Sequence, residues 1–261
     1  MKRFYGRTAQ LERLQAGYEA SGSQMWVMYG RRRVGKTELI RRFCSDKSTF
    51  FFTGGRETTA AQIRRFLSEQ EDFTEQPALR RMRGATWHEA LSLLDVYLQG
   101  AGRPKQVVVL DELQWMCGNK PALLSDLQRL WDHRWSGSGR VQLILCGSVV
   151  SFMVGEVLAE KSPLFGRRHG QIELLPLTAR EASGFFAGHS RLDVAEAMIT
   201  LGGVPAYLER VQEAPSLHQA LDELACHRDG YLLGEIDFIL GEQLREKHRY
   251  HQILELLAAE P

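Results

Sequence analysis

The sequence predicts an α/β fold: a parallel sheet flanked by helices, followed by a smaller all-helical region. Three observations carry the prediction. Short apolar runs alternate with segments of helical periodicity along the first two thirds of the chain. One of the runs, Gln106 to Leu110, is continuously apolar, as strands are when both faces are covered. After Pro176 the strand-like runs stop and helical periodicity continues. Strands that alternate with helices imply parallel pairing with right-handed crossovers.

The elements follow in order. Thr8 is placed to cap a helix carrying Leu11, Leu14 and Tyr18 on one face, ended at Gly22. Gln24 to Tyr29 reads as a buried strand. Gly30 to Gly35 is a loop, and Lys36 to Cys44 a helix with Leu39, Ile40 and Phe43 inward. Ser48 to Thr53 is a second strand, aromatic and β-branched, stopped by Gly54-Gly55. Helices are expected near Thr59–Glu69 and Trp87–Leu98, with a polar loop from Gln70 to Gly84 between them. Gln106 to Leu110, Val141 to Cys146 and Gly170 to Leu175 complete five strands, and Pro121 to His133 is helical. Thr178 to Arg210 and Ser216 to Ala225 carry helical periodicity with no clear strands, Gly202 to Pro205 being a turn into a helix, and Ile236 to Ala259 is mostly helical. The chain stops at Pro261, just past the amphipathic stretch Tyr250–Leu257, so it reads as truncated, with a further domain missing. The expected division is 1–177 for the core, 178–245 for a helical domain and 246–261 for the start of another domain.

The 261 residues carry 33 Lys plus Arg against 32 Asp plus Glu. That balance argues against a surface built wholesale to coat nucleic acid or membrane, while a local basic patch stays compatible with it. Cys44, Cys117, Cys146 and Cys226 form no CxxC pair and read as reduced thiols. The histidines, including the pair His248 and His251, lack metal-site spacing, and Trp115, Trp131 and Trp135 read as core or partner contacts. No apolar run approaches the roughly 20 residues that span a bilayer, and the N-terminus lacks a signal peptide's apolar core. The expectation is a soluble, cytoplasmic protein with no membrane partner.

Gly30-Arg31-Arg32-Arg33-Val34-Gly35-Lys36-Thr37 fits G-x-x-x-x-G-K-[ST] at every fixed position, between a strand and a helix. Such a loop wraps phosphate oxygens with backbone N–H groups, which a side chain at Gly30 or Gly35 would obstruct. The helix behind it points its positive end at the anion. Lys36 is placed to reach the β and γ phosphates and Thr37 to ligate Mg²⁺. The segment Gly30–Glu38 is therefore the expected nucleotide-binding stretch. The side chains of Arg31, Arg32 and Arg33 either contact a partner or nucleic acid, or stay solvated or paired with nearby acids.

Val107 to Leu110 closes on Asp111-Glu112. Asp111 at the strand end is expected to hold the Mg²⁺ water shell, and Glu112 to orient or deprotonate an attacking water. The added glutamate points to P-loop ATPases of the kind that carry a catalytic carboxylate. The next strand ends at Gly147-Ser148, where Ser148 either senses the γ-phosphate or caps the following helix.

These pieces resemble one family. Phe4-Tyr5-Gly6-Arg7 with Leu11-Glu12-Arg13-Leu14 looks like the box ahead of the phosphate loop in AAA+ and STAND-type ATPases. Asp111-Glu112-Leu113-Gln114 is similar to the D-E-[FLV]-Q of the archaeal-type ATPase family of archaea and bacteria, and Leu145-Cys146-Gly147-Ser148 to its L-T-G-S. Ser162-Pro163-Leu164-Phe165-Gly166-Arg167-Arg168 with Ile172-Glu173-Leu174, and Gly202-Gly203-Val204-Pro205-Ala206-Tyr207-Leu208, resemble two more of its motifs. The likeness runs from residue 4 to about 210. Cys146 departs from the family's usual threonine, which is either a swap inside a buried strand or a loss of hydrogen bonding beside the γ-phosphate.

The resemblance implies a five-stranded AAA+-like core, a helical lid and then a winged-helix domain. Many relatives carry a further domain that resembles restriction endonucleases. It implies a base pocket served by Gly6 and Arg7, and a lid motif at Gly202–Pro205 that reports nucleotide state. It also implies a charge-stabilising role for Arg167 or Arg168, in cis or from a neighbouring subunit, and adenine as the base. The expected function is Mg-dependent binding and hydrolysis of ATP to ADP and phosphate, coupled to lid movement and to a downstream or partner domain, protein or DNA. The alternative is a nucleotide-gated switch with negligible hydrolysis of its own.

Overall fold

The computed structural model describes residues 4–100, 104–118, 122–212, 214, 216–243 and 246–259. It divides into two compact units. The first, the sheet unit, holds Arg7–Gly30 and Lys36–Leu174. The second, the helical unit, holds the residues from Leu175 onward together with Arg31–Gly35 and the described residues up to Gly6.

In the sheet unit, α1 (Thr8–Glu19), β1 (Gln24–Tyr29), α2 (Lys36–Cys44), β2 (Thr49–Thr53), α3 (Thr59–Thr74) and α4 (Trp87–Leu98) come first. They are followed by β3 (Gln106–Asp111), α5 (Leu113–Cys117), α6 (Ala122–Leu130), β4 (Val141–Gly147), α7 (Val150–Phe152) and β5 (Gly170–Glu173). The five strands lie in the order β2-β3-β4-β1-β5, all parallel. Every residue of β3 and β4 is buried, which is why their sequences run apolar without alternation. One face sets Phe50, Phe52, Val108, Leu110, Leu143, Leu145, Met25 and Val27 against Phe66, Trp87, Leu91 and Trp135. On the opposite face α1 reaches the sheet: the Leu14 carbonyl accepts from Gln142 Nε2 at 3.1 Å, and Gly17 leaves room for the Trp26 indole.

Three sequence expectations change here. Thr8 does not cap α1: Arg7 is the N-cap, in the left-handed region at φ 66°, with no side-chain cap. The helix closes at Glu19, with Ala20 at its C-cap, short of Gly22. The polar stretch from Gln70 begins as helix, because α3 runs on to Thr74 and places Phe73 against Phe50 and Tyr97. Burying that ring offsets the polarity of its neighbours. After α6 the chain continues as a π-turn over Trp131–Trp135, where the Trp135 indole donates to Asp95 at 2.9 Å. Pro121, expected to open that helix, and Pro261 lie outside the described residues.

The helical unit contains α8 (Ala179–Ala182), α9 (Arg191–Leu201), α10 (Pro205–Gln212), α11 (Leu217–Leu221), α12 (Glu235–Gln243) and α13 (Lys247–Ala259). Capping boxes start α8, at Thr178 and Glu181, and α9, at Ser190 and Asp193. Its core gathers Leu177, Phe185, Phe186, Leu201, Val204, Leu208 and Val211. Gly203 is forced, since a Cβ there would run into the Leu177 carbonyl.

Candidate nucleotide site

The chain leaves parallel strands at their C-terminal ends, and the ends of β3 and β4 bring Asp111, Glu112 and Ser148 together with Thr37. Strand β1 ends at Tyr29 and hands over to Gly30. Gly30 has φ 151° and a Cβ there would collide with the Leu174 carbonyl, so this position takes only glycine. Gly35 has φ 91°, again a conformation that side chains disfavour. Lys36 opens α2, is buried, and its ammonium donates to the Gly30 carbonyl at 2.8 Å. The lysine thus lies folded over the mouth of its own loop.

Thr37 reaches the neighbouring acid: its Oγ1 donates to Asp111 Oδ2 at 2.7 Å. Asp111 closes β3 almost fully buried, and its other oxygen, Oδ1, accepts the Glu112 N–H at 2.9 Å. The Cys146 thiol lies beside Asp111 on the adjoining strand, fully buried, and is held protonated by burial first and by Asp111 next.

Glu112 stands at the sharp exit from β3, at φ 53°. A non-glycine residue holds that conformation only where its surroundings fix it. Two donors do so. The Ser148 hydroxyl donates to Glu112 Oε2 at 2.6 Å, and Gln114 Nε2 donates to the same oxygen. Gln114 also reaches the Ser148 hydroxyl at 3.1 Å. Among the described residues no hydrogen bond reaches Glu112 Oε1. Two glycines make room: a Cβ on Gly54 would come within 2.7 Å of the Glu112 carbonyl, and one on Gly147 within 2.8 Å of Gln114 Oε1. Ser148 is not a helix cap, since α7 takes Val149 as its N-cap without a side-chain bond.

The remaining expected residues separate. Arg167 is bound by both carboxylate oxygens of Asp132, at 2.7 and 2.8 Å, and by the Pro163 and Phe165 carbonyls. Arg168 lies close enough to Tyr29, the last residue of β1, to oppose the rise that burial and Glu173 impose on its hydroxyl. Arg7 is buried. Arg31, Arg32 and Glu38 are exposed, and Val34 is buried.

In the helical unit, Gly6 has φ 68° and lies against Glu181. Pro205 is the first residue of α10, and its Cγ lies 3.8 Å from where a Cβ on Gly35 would be. Arg33 has φ 68° and its guanidinium pairs with Glu235. It also lies 4.6 Å from the centre of the Tyr231 ring. Glu235 takes a second donor, the Tyr207 hydroxyl at 2.7 Å. Burial, followed by Glu235, pushes the Tyr207 hydroxyl well above the usual phenol range.

Sequence reasoning passed over Gln114 and Glu235. Gln114 carried a signal, its fixed place two residues after Glu112 in the D-E-L-Q run. Glu235 carried none, because it lies 202 residues from its partner.

The chain resembles known proteins in family and in fold. The family model for an ATPase domain predominantly from Archaea matches residues 4–211. An uncharacterised protein of Methanocaldococcus jannaschii is 26% identical over 255 residues, covering 98% of this chain and 54% of the relative. The chain therefore spans about half the length of that curated relative. Among solved structures, the Walker-type ATPase of Pyrococcus abyssi superposes with a TM-score of 0.65 at 17% identity, covering 99% of this chain and 77% of that one. The Aeropyrum pernix ORC2 protein, solved with ADPNP and ADP, gives 0.53 at 19% identity over 93% of this chain and 66% of that one. At such identities the likeness is one of fold.

Proposed function

Because the chain belongs to the family of ATPase domains found predominantly in Archaea, we propose that it binds ATP with Mg²⁺ and hydrolyses it to ADP and phosphate. The observation that carries the reading is the convergence, at the C-terminal ends of β1 and β3, of Lys36, Thr37, Asp111 and Glu112. Each group is placed for a different task. Backbone N–H groups from Gly30 to Thr37 receive the phosphates, and Lys36 turns from the Gly30 carbonyl to their oxygens. Thr37 Oγ1 and Asp111 Oδ2, 2.7 Å apart, are hard oxygen donors that fit Mg²⁺. When bound, that ion neutralises charge on the phosphates.

Glu112 orients a water and takes its proton as the water oxygen bonds to the γ-phosphorus and the bond to the β-phosphate oxygen breaks. Ser148 and Gln114 fix which carboxylate oxygen does this: with Oε2 engaged, Oε1 receives the water. Arg168, near the end of β1, is a better placed source of charge for the γ-phosphate than Arg167, which Asp132 already neutralises. An arginine donated between copies of the chain is the self-associating form of the same idea. The Cys146 thiol, beside Asp111, takes the place of the family's threonine.

The helical segment 178–245 acts as a lid that follows nucleotide state, with Gly6, Arg7 and Pro205 serving the base and the phosphate loop. Residues 246–261 begin a winged-helix domain through which a protein or DNA partner is engaged. No helix among the described residues is long and apolar enough to cross a membrane. A second reading, a nucleotide-gated switch, draws on the engagement of Glu112 by two donors, which also suits a carboxylate held in reserve.

Phosphate release from ATP with Mg²⁺, repeated with excess EDTA, separates the two. Turnover that chelation abolishes supports the enzyme. Tight ATP binding with no turnover supports the switch. Failure to bind ATP contradicts both.

A further inference from the structure

Glu235 lies outside the sequence motifs of the chain, yet its guanidinium partner, Arg33, lies inside one of them. Glu235 is the first residue of α12, its side chain 9% exposed. A carboxylate so nearly stripped of water must be paired to stay charged. Among the described residues it has two partners, the Arg33 guanidinium and the Tyr207 hydroxyl. Arg33 is in turn fixed on its flat side by Tyr231, whose ring also receives Arg210 at 3.7 Å. Arg33 also has a backbone angle, φ 68°, that non-glycine residues seldom adopt. The position is telling, because Arg33 is one of the free residues inside the phosphate loop.

We propose that Glu235 is a positioning residue for the phosphate loop: it holds the Arg33 guanidinium in competition with the phosphates of a bound nucleotide. The inference rests on the reading of Gly30–Thr37 as a phosphate loop. A polyphosphate brings several negative charges to that loop and attracts the Arg33 guanidinium, whose fork suits phosphate as well as carboxylate. Glu235 and the nucleotide then share one cation. By linkage, whatever Glu235 takes from nucleotide affinity the nucleotide takes from Glu235's hold on Arg33. Filling the loop loosens the start of α12, so the helical unit registers the nucleotide through a single ion pair.

The sign of this coupling is testable. A residue that merely supports the fold weakens binding when altered, whereas a competitor strengthens it. The full chain is titrated with mant-ADP and Mg²⁺, as wild type, Glu235→Gln, Arg33→Ala and the double variant. Glu235→Gln keeps the side-chain shape and an acceptor for Tyr207. It is expected to tighten mant-ADP about tenfold, inside the usual range for coupled sites, and to change nothing when added to Arg33→Ala. Glu235→Asp, which keeps the charge and shortens the reach, serves if Glu235→Gln does not fold, and is expected to tighten binding by a smaller factor. Unchanged or weaker binding by the glutamine variant, or an equal gain in the Arg33→Ala background, overturns the proposal and leaves the phosphate loop standing. A wild type that binds no mant-ADP overturns the loop reading and the proposal with it.

Discussion

The two units hold their key acids in opposite ways. In the sheet unit, Asp111 and Glu112 are fixed by neutral donors: the Thr37 and Ser148 hydroxyls, the Gln114 amide and a backbone N–H. In the helical unit, Glu235 faces a full positive charge on Arg33. Neutral donors orient a carboxylate without neutralising it, so its charge stays available to a cation or a water. An ion pair commits the charge until a competitor arrives. One arrangement suits chemistry, the other a conformational response.

The first way to break the comparison is to remove a neutral donor. Gln114→Leu leaves Glu112 with one anchor instead of two. Turnover is expected to fall about 10- to 100-fold, part of the roughly 10²–10⁴ that a positioned base supplies, with ATP affinity nearly unchanged. Adding Ser148→Ala should cost less than the product of the two single effects, since both act on one oxygen. Strict additivity in steady-state rates would show that the donors do not share a function.

In the helical unit the corresponding change is Tyr207→Phe, which strips one donor from Glu235 and leaves the ion pair. A lost hydrogen bond to a charged group costs about 1.5–3 kcal/mol, and the variant should melt at a lower temperature. Turnover at saturating ATP should hardly move. If turnover falls as far as it does for Gln114→Leu, the two acids are not functionally distinct.

The smallest effect concerns the thiols. Burial raises Cys44 to about 11 and Cys117 to about 12, while Cys226 is exposed. At pH 8 a thiol reagent should label Cys226 first, followed by mass spectrometry of the peptides. The folded chain retains these two protons while the unfolded chain gives them up near the ordinary thiol value of 9.0. Their contribution to stability is therefore intact below pH 9 and declines as the pH rises through the folded values. Rapid labelling of Cys117 at pH 8 would contradict its burial.

The same contrast explains what could be read before the structure. The Gly30–Thr37 and Asp111-Glu112 motifs are local patterns, in which a strand, a turn and a few side chains within a dozen residues carry the signal. The inner strands β1, β3 and β4 were legible for a similar reason, since burial on both faces makes them nearly continuous apolar runs, whereas the edge strands β2 and β5 are only partly buried. Gln114 was visible only as part of a family signature, because its partner Ser148 comes from another strand end 34 residues away. Glu235 was invisible, because an acid at the start of a helix looks like any capping acid until the fold brings Arg33 to it. The extension of α3 was missed because Gln70 and Thr74 are polar by composition yet buried by position. The cap at Thr8 failed because Arg7 supplies the left-handed turn instead.

The most direct test of the central claim is the rate of phosphate release for Glu112→Gln beside its affinity for ATP. The substitution keeps the size of the side chain and removes the charge that takes the proton. The account predicts ATP binding within a few-fold of wild type and turnover lower by about 100-fold or more. A glutamine variant that hydrolyses ATP at the wild-type rate would contradict the assignment of Glu112 and, with it, the division of labour at the end of β3.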